Sequence, residues 1–83
     1  MKLNIRYFAA LREALGASES LEVAEGATVA DVRAALVARG GRHAELLAGS
    51  RPVRCALNQA MVPESTPVAD GAEVAFFPPV TGG

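Results

Sequence analysis

Short stretches of alternating apolar and polar residues recur along the chain, as expected for β-strands with one buried face. Residues 2–8 and 72–77 show the alternation most clearly, and residues 20–23 and 53–57 repeat it more briefly. A very short strand is also predicted at residues 61–62. The side chains predicted to point into a core are Leu3, Ile5, Tyr7, Leu21, Val23, Val53, Cys55, Leu57, Val74 and Phe76.

One segment has its apolar residues at helical spacing instead. Residues 28–39 predict the main helix, because Thr28 is a favourable N-cap and Asp31 occupies the place of a capping-box acid. The apolar residues at helical spacing are Val29, Val32, Leu36 and Val37. A shorter helix is predicted at residues 9–16, and one short turn of helix at residues 42–50.

This order of elements predicts an α+β domain built from two layers. We expect the β-grasp, or ubiquitin-like, fold: a mixed sheet with its first and last strands side by side at the centre and the main helix on one face. Other small α+β folds produce a similar pattern. The folded domain is assigned to residues 1–78, and residues 79–83 are assigned to an extended tail.

Composition limits the chain to one small globular domain. Its 83 residues are 51% hydrophobic and 20% charged, with a net charge of −1. This balance offers no basic surface for nucleic acid or for an anionic membrane. No apolar run approaches the ~20 residues of a membrane span, the N-terminus lacks the pattern of a signal peptide, and Cys55 is the only cysteine. We therefore expect a cytoplasmic protein.

Side chains suited to catalysis or metal binding are scarce. His43 and Cys55 are each the only residue of their type, so a transition-metal site is not expected. Cys55 falls on the inward side of its strand, which favours an inert core thiol over a nucleophile. His43 is expected to face solvent. The folded body is therefore not predicted to be an enzyme by itself.

The final stretch, "PPVTGG", carries the strongest functional signal. Pro78 and Pro79 fix the backbone where the chain leaves the last strand. Gly82 and Gly83 have no side chains, so such an end can enter a channel too narrow for a Cβ atom. Residues 79–83 would reach about 17 Å when fully extended. The simpler alternative is a frayed end without a role.

Two aromatic residues break the alternation of their strands. Phe8 and Phe77 fall on the sides that otherwise carry polar residues such as Arg6 and Glu73. If the first and last strands are neighbours, both rings lie on the open face of the sheet, where Met61 can join them in an apolar patch for a partner. The alternative is that the strand phase slips at a bulge and the rings belong to the core.

Together, the patch and the tail predict a domain that docks on a partner and presents a C-terminal carboxylate to it. A free carboxylate is a poor electrophile, so it must first be activated, for example as an acyl-adenylate. A terminal glycine leaves that carbonyl sterically open.

Over its whole length the chain resembles the small subunit of molybdopterin synthase, the sulfur carrier of molybdenum cofactor synthesis. The stretches that carry the resemblance are "YFAALRE", "LNQ" and "DGAEVAFFPPVTGG". The run Phe-Phe-Pro-Pro-Val-Thr-Gly-Gly is the most specific of these, whereas Gly-Gly alone would be a weak signal.

The resemblance implies a β-grasp sulfur carrier that binds no cofactor or metal and is an enzyme only as a subunit of the synthase. A ubiquitin-activating-like enzyme would consume ATP to adenylate Gly83, and sulfur would then be installed as a thiocarboxylate. The tail would enter the active site of the large subunit and donate sulfur to cyclic pyranopterin monophosphate, building the dithiolene of molybdopterin. The assembled synthase would be a heterotetramer around a dimer of large subunits, which supply the catalytic lysines.

The resemblance also implies which residues take part. It assigns Gly82 and Gly83 to the sulfur-carrying end, Pro79, Val80 and Thr81 to the inserted tail, and Phe8, Met61 and Phe77 to the partner interface.

Three other functions fit parts of the pattern. A thiamine-pathway sulfur carrier shares the fold and the Gly-Gly end, but its tail lacks the double proline at Pro78 and Pro79. A ubiquitin-like modifier would use the same activation and then form an isopeptide bond with lysines of target proteins. A binding module with an incidental tail would retain its function without Gly82 and Gly83.

Overall fold

A computed structural model describes residues 1–48 and 52–78 of the chain. The elements in chain order are β1 (Lys2–Tyr7), α1 (Ala9–Leu15), β2 (Ser18–Glu22), α2 (Val29–Val37), α3 (Gly41–Leu47), β3 (Arg54–Leu57), β4 (Ala60–Met61) and β5 (Glu73–Phe77). The tail assigned to residues 79–83 lies outside the described residues. Within the described part, no helix is long and apolar enough to cross a membrane.

The strands form one mixed sheet in the order β2-β1-β5-β3-β4. The central pair, β1 and β5, is parallel and brings the first and last strands together. The other three pairs are antiparallel: β2 pairs with β1, β3 pairs with β5, and β4 pairs with β3. The mixed sheet and its central pair are therefore as predicted, and they place the residues before α1 beside the residues that follow β5.

The core lies between one face of the sheet and helix α2. Alternate residues of β1 point into it, as predicted, and Val74 and Phe76 of β5 do the same. The fully buried side chains are Tyr7, Phe76, Leu3, Ile5, Leu36, Leu47, Val29, Val32 and Val74. Burying an aliphatic or aromatic side chain of this size contributes about 1.5–3 kcal/mol, so this face supplies most of the stability.

Helix α2 begins at the predicted capping box. The backbone N–H of Asp31 donates to Oγ1 of Thr28 at 3.3 Å, and the N–H of Thr28 donates to Oδ2 of Asp31 at 2.9 Å. The helix ends at Val37, two residues earlier than predicted, because its last turn tightens: the N–H groups of Arg39 and Gly40 donate to the carbonyl oxygens three residues back, those of Leu36 and Val37. Helix α3 follows directly and has seven residues, more than the single turn predicted there.

The strand boundaries differ from the predictions by one or two residues. β2 begins at Ser18 instead of residue 20, and β4 covers Ala60–Met61 instead of residues 61–62. β3 begins at Arg54, one residue later than predicted. The tight turn between β3 and β4 is made by Asn58 and Gln59, whose positive φ angles of 49° and 72° suit a two-residue hairpin.

A buried arginine on α2 joins three parts of the chain. The guanidinium of Arg33 donates to the carbonyl oxygens of Leu47 at 2.6 Å and Ala48 at 2.7 Å, at the C-terminal end of α3. It also donates to Oε2 of Glu64 at 2.6 Å, and its side chain is only 7% exposed. Arg33 thereby satisfies carbonyls that the helix end leaves unpaired, and it ties α2 and α3 to the loop after β4.

Candidate partner-docking surface

The sheet face opposite the helices carries a stacked pair of aromatic rings. The ring centroids of Phe8 and Phe77 are 4.7 Å apart, with 8° between the planes. Phe8 continues the extended backbone of β1, with φ −126° and ψ 156°, and its N–H donates to the carbonyl of Phe76 at 3.2 Å. Its side chain therefore points to the face opposite Tyr7. No bulge shifts the phase, so the two rings lie on the open face, as predicted.

Met61 lies on the same face as this pair. It is the exposed large hydrophobic residue of the described chain, at 58%. Met61 is the cross-strand partner of Ala56, and Ala56 is the partner of Ala75, which lies two residues before Phe77. Cross-strand partners share a face of the sheet. Phe8, Phe77 and Met61 thus form one surface, which we call the docking surface.

The centre of the docking surface is made of small residues. Ala56 and Ala75 alternate with the inward residues of their strands, and their register with Met61 places them on the docking surface. They are nevertheless only 3% and 2% exposed. A side chain can therefore point outward and still be buried. Alanine at these two positions leaves room for the larger residues of the docking surface to lie close to the sheet.

The docking surface is placed beside the start of the tail. Pro78, which is partly buried, follows directly after Phe77 and is the last described residue. The predicted site residues Pro79, Val80, Thr81, Gly82 and Gly83 lie outside the described residues.

A second polar cluster lies on the helix side of the sheet, and the sequence patterns did not reveal it. The hydroxyl of Tyr7 donates to Oε2 of Glu19 at 2.6 Å, and Nε2 of His43 lies 2.8 Å from the same oxygen. Arg39, which follows α2, pairs with the other oxygen of Glu19. His43 was predicted to face solvent, which is wrong, since it is half-buried against this carboxylate and the ring of Tyr7.

The cluster shifts the pKa values of two of its members. Burial raises the pKa of the Tyr7 hydroxyl well above its usual range, and the hydrogen bond to Glu19 adds to this. Burial alone would raise the pKa of Glu19 too, but hydrogen bonds from Tyr7, His43 and Arg39 outweigh it and lower the pKa. Glu19 is therefore an ionised anchor on β2 that joins β1, α3 and the segment between α2 and α3, and it faces away from the docking surface.

Cys55 lies in the core, as predicted. It is 5% exposed, and its Sγ lies 3.9 Å from the carbonyl oxygen of Val62. Burial raises the pKa of the Cys55 thiol, as does the nearby carboxylate of Glu64, while Arg33 opposes them. Such a thiol is a poor nucleophile. Among residues 1–48 and 52–78, no three His, Cys, Asp or Glu side chains are grouped to hold a metal ion.

The comparison with known families accounts for nearly the whole chain. A family model described as "ThiS family" matches residues 5–83. The chain belongs to the ThiS family. This ThiS-family chain is 38% identical over 81 residues to the Escherichia coli protein named molybdopterin synthase sulfur carrier subunit. The matched residues cover 98% of this chain and 99% of that one. The resemblance found in the sequence is thereby confirmed.

Solved structures of similar proteins confirm the ubiquitin-like β-grasp fold of this ThiS-family chain. The putative molybdopterin converting factor subunit 1 of Pyrococcus furiosus has a TM-score of 0.80 and 31% identity, with 96% of this chain and 99% of that chain covered. The small archaeal modifier protein 1 of Haloferax volcanii has a TM-score of 0.78 and 26% identity, covering 95% and 98%.

A further structure shares the fold at lower identity. It is the complex of subunits 1 and 2 of the molybdopterin-converting factor from Helicobacter pylori, in which the similar chain has a TM-score of 0.68 and 23% identity, with full coverage of both chains. The fold thus occurs in a protein solved together with a second subunit.

Proposed function

We propose that this chain is the sulfur carrier subunit of a molybdopterin synthase. One observation supports this above the others: the docking surface lies at the end of the sheet from which the chain continues into residues 79–83. A partner seated on Phe8, Met61 and Phe77 is therefore next to Pro78, from which the chain continues into the tail. The Escherichia coli relative is named as a subunit of molybdopterin synthase, and we take the partner to be the large subunit of such a synthase.

In the proposed cycle, the C-terminal carboxylate is activated before it carries sulfur. An adenylating enzyme of the ubiquitin-activating type joins the Gly83 carboxylate to AMP and releases pyrophosphate from ATP. Sulfide displaces AMP and leaves a thiocarboxylate on Gly83. This chain binds no cofactor of its own in the cycle, and the sulfur is carried covalently.

The loaded tail then delivers its sulfur within the assembled synthase. We place Pro79, Val80, Thr81 and Gly82 in the passage that leads to the large-subunit active site, where cyclic pyranopterin monophosphate accepts the sulfur. In each transfer the thiocarboxylate sulfur bonds to the pterin, and water then hydrolyses the resulting thioester, which leaves the sulfur on the pterin and returns the carboxylate of Gly83. Two such transfers build the dithiolene of molybdopterin. The catalytic side chains come from the large subunit, and the complex is a cytoplasmic heterotetramer around a dimer of large subunits.

Mass spectrometry of the C-terminal peptide tests the first half of this proposal. The protein is incubated with ATP, the adenylating enzyme and sulfide, and fragmentation locates any exchange of oxygen for sulfur. We expect the exchange on Gly83. Fragmentation is needed because oxidation of Met61 or Cys55 adds nearly the same mass. A carboxylate that stays unmodified under these conditions would contradict the proposal.

Reconstitution with the large subunit tests the second half. We expect the loaded protein to convert cyclic pyranopterin monophosphate, and a variant lacking Gly83 to fail while unfolding at the same temperature as the full chain. The matched control is Cys55→Ala, which removes the only thiol without placing a hydroxyl in the core and leaves the tail unchanged. Full activity without Gly83 would show that the tail is incidental.

A second candidate function is favoured by one likeness. The small archaeal modifier protein 1 of Haloferax volcanii is named as a modifier and shares the fold over nearly the full length of both chains. Activation of Gly83 would be the same, but a lysine amine would displace AMP and form an isopeptide bond. Covalent conjugates of this chain in its own cells, together with no transfer to the pterin, would favour the modifier over the carrier.

A further inference from the structure

Two arginines lie on either side of the aromatic pair of the docking surface. The guanidinium carbon of Arg6 is 5.4 Å from the centroid of the Phe8 ring. On the other side, Arg54 is the cross-strand partner of Phe77 in the antiparallel pair of β3 and β5. Since cross-strand partners share a face, Arg54 lies on the docking surface as well. The stacked rings are thus flanked by a cation on each side.

Neither arginine has a close, buried ion pair with another residue in the described part of the chain. Arg6 lies 3.8 Å from Oε1 of Glu73, and its side chain remains 46% exposed. An exposed pair at that distance contributes little and is easily exchanged for another partner. Arg54 is exposed, and no ion pair joins it to a residue in 1–48 or 52–78. The strand residues at this end of the open face thus hold two cations, Arg6 and Arg54, against the single carboxylate of Glu73, although the whole chain has a net charge of −1.

The other end of the same face differs in character. There the outward residues are polar or of mixed charge, namely Lys2, Asn4, Ser20 and Glu22. An apolar centre flanked by positive charge thus occurs only at the end near Pro78, within the part of the face that the structure describes. The arginines and the rings form one unit, and a partner that covers the rings must also meet the guanidinium groups.

We propose that the large-subunit surface which receives this chain is an apolar recess with carboxylates on its rim, placed to meet Arg6 and Arg54. The inference rests on the proposed function, because it names the chemistry of that same partner. Covering a guanidinium without an opposite charge would cost desolvation energy that the contact does not return. Carboxylates on the rim remove that cost, and they attract this end of the carrier from a distance.

The kinetics of association with the purified large subunit test this inference. We expect the association rate constant to fall as salt concentration rises, because salt screens charges separated by more than about 10 Å at 0.1 M. Arg6→Gln and Arg54→Gln should each lower that rate constant by about threefold to tenfold at low salt. Both variants should also weaken its dependence on salt, while their thermal unfolding stays close to that of the wild type.

Lys2→Gln is the matched control, since it removes a cation from the opposite end of the same face. It should leave the association rate and its salt dependence unchanged. Tight association that is independent of salt, or an equal effect of Lys2→Gln, would overturn the acidic rim and leave the proposed function standing. Absence of association at any salt concentration would overturn the proposed function itself, and the inference with it.

Discussion

Two pairs of aromatic residues occupy neighbouring positions on the same two strands and have opposite surroundings. Tyr7 and Phe76 are register partners on the helix side of the sheet, with centroids 6.4 Å apart, and both are buried. Phe8 and Phe77 follow each of them by one residue and stack at 4.7 Å on the open side. Successive residues of a strand point to opposite faces. In Tyr7-Phe8 and in Phe76-Phe77, the first ring therefore lies in the core and the second lies on the docking surface.

The difference between the pairs lies in what covers them. Tyr7 and Phe76 belong to the buried core together with residues of the helices, such as Leu36 and Leu47, and the hydroxyl of Tyr7 donates a hydrogen bond to Glu19. Phe8 and Phe77 cover each other and remain only partly buried. The first pair therefore stabilises the monomer, whereas the second pair retains apolar area that a partner can still bury.

Truncating the core pair should have the largest effect. Phe76→Ala is expected to lower the free energy of unfolding by about 3–5 kcal/mol, since it removes a fully buried ring and leaves a cavity. Denaturant titration followed by circular dichroism measures the loss. Phe76→Leu keeps more volume and provides a folded variant if the alanine variant does not fold. A loss below that of Phe77→Ala would contradict the assignment of Phe76 to the core.

A charge introduced into the aromatic pair of the docking surface, Phe8 and Phe77, should weaken partner binding more than it lowers stability. Phe77→Asp is expected to weaken binding to the large subunit by at least about 30-fold, which corresponds to about 2 kcal/mol. The free energy of unfolding should change by less than about 1 kcal/mol, because the ring is partly exposed. Isothermal titration calorimetry and denaturant titration give the two quantities. If both fell equally, Phe77 would belong to the core and the comparison would fail.

The anchor of the core pair should show a dependence on pH. Glu19→Gln is expected to lower the free energy of unfolding at pH 7 by about 1–3 kcal/mol, because it weakens charged hydrogen bonds. The pKa of Glu19 is lowered from its ordinary 4.5, so its stabilisation is present above that value and is lost as the pH falls through the folded pKa. The gap between wild type and variant should therefore close on acidification.

Docking supplies the control for Glu19→Gln. Binding to the large subunit at pH 7 should be unchanged, because the carboxylate lies on the face away from the docking surface. A gap in stability that stays constant from neutral to acidic pH would show that Glu19 does not carry its charge in the folded protein.

The smallest effect on stability is expected from a change at the N-terminus of helix α2. Thr28→Ala removes the side chain that caps α2 and should cost about 1 kcal/mol of stability. Thermal unfolding measures the cost, with Thr66→Ala as a comparison, since Thr66 lies outside the helices and strands. A Thr28 variant that weakened docking more than folding would mean that the two faces are coupled.

The sheet and the docking surface could be predicted because both depend on the period of the strands. Alternation placed Tyr7 and Phe76 inward, and the same rule marked Phe8 and Phe77 as exceptions. The capping box at Thr28 was predictable for a similar reason, since its partners lie three residues apart.

The two inward-facing polar anchors, Glu19 and Arg33, could not be predicted, because their partners are distant in sequence. Glu19 meets Tyr7 and His43 across 12 and 24 residues, and Arg33 meets Glu64 across 31. A partial signal existed in each case. Glu19 shares the phase of Leu21 in β2, and Arg33 lies four residues after Val29 on the buried face of α2. Polar residues at inward positions mark buried anchors, and the fold then supplies their partners.

The central strand of the sheet, β5, is the last strand to be synthesised. As the chain leaves the ribosome, β1, β2, β3 and β4 emerge before the strand that joins their two halves. Until Glu73–Phe77 is released, β1 and β3 each present an unpaired edge that can pair wrongly. The docking surface shares this delay, because Phe77 is its last component. A nascent chain therefore has no complete surface to offer a partner, and recognition waits for the finished fold.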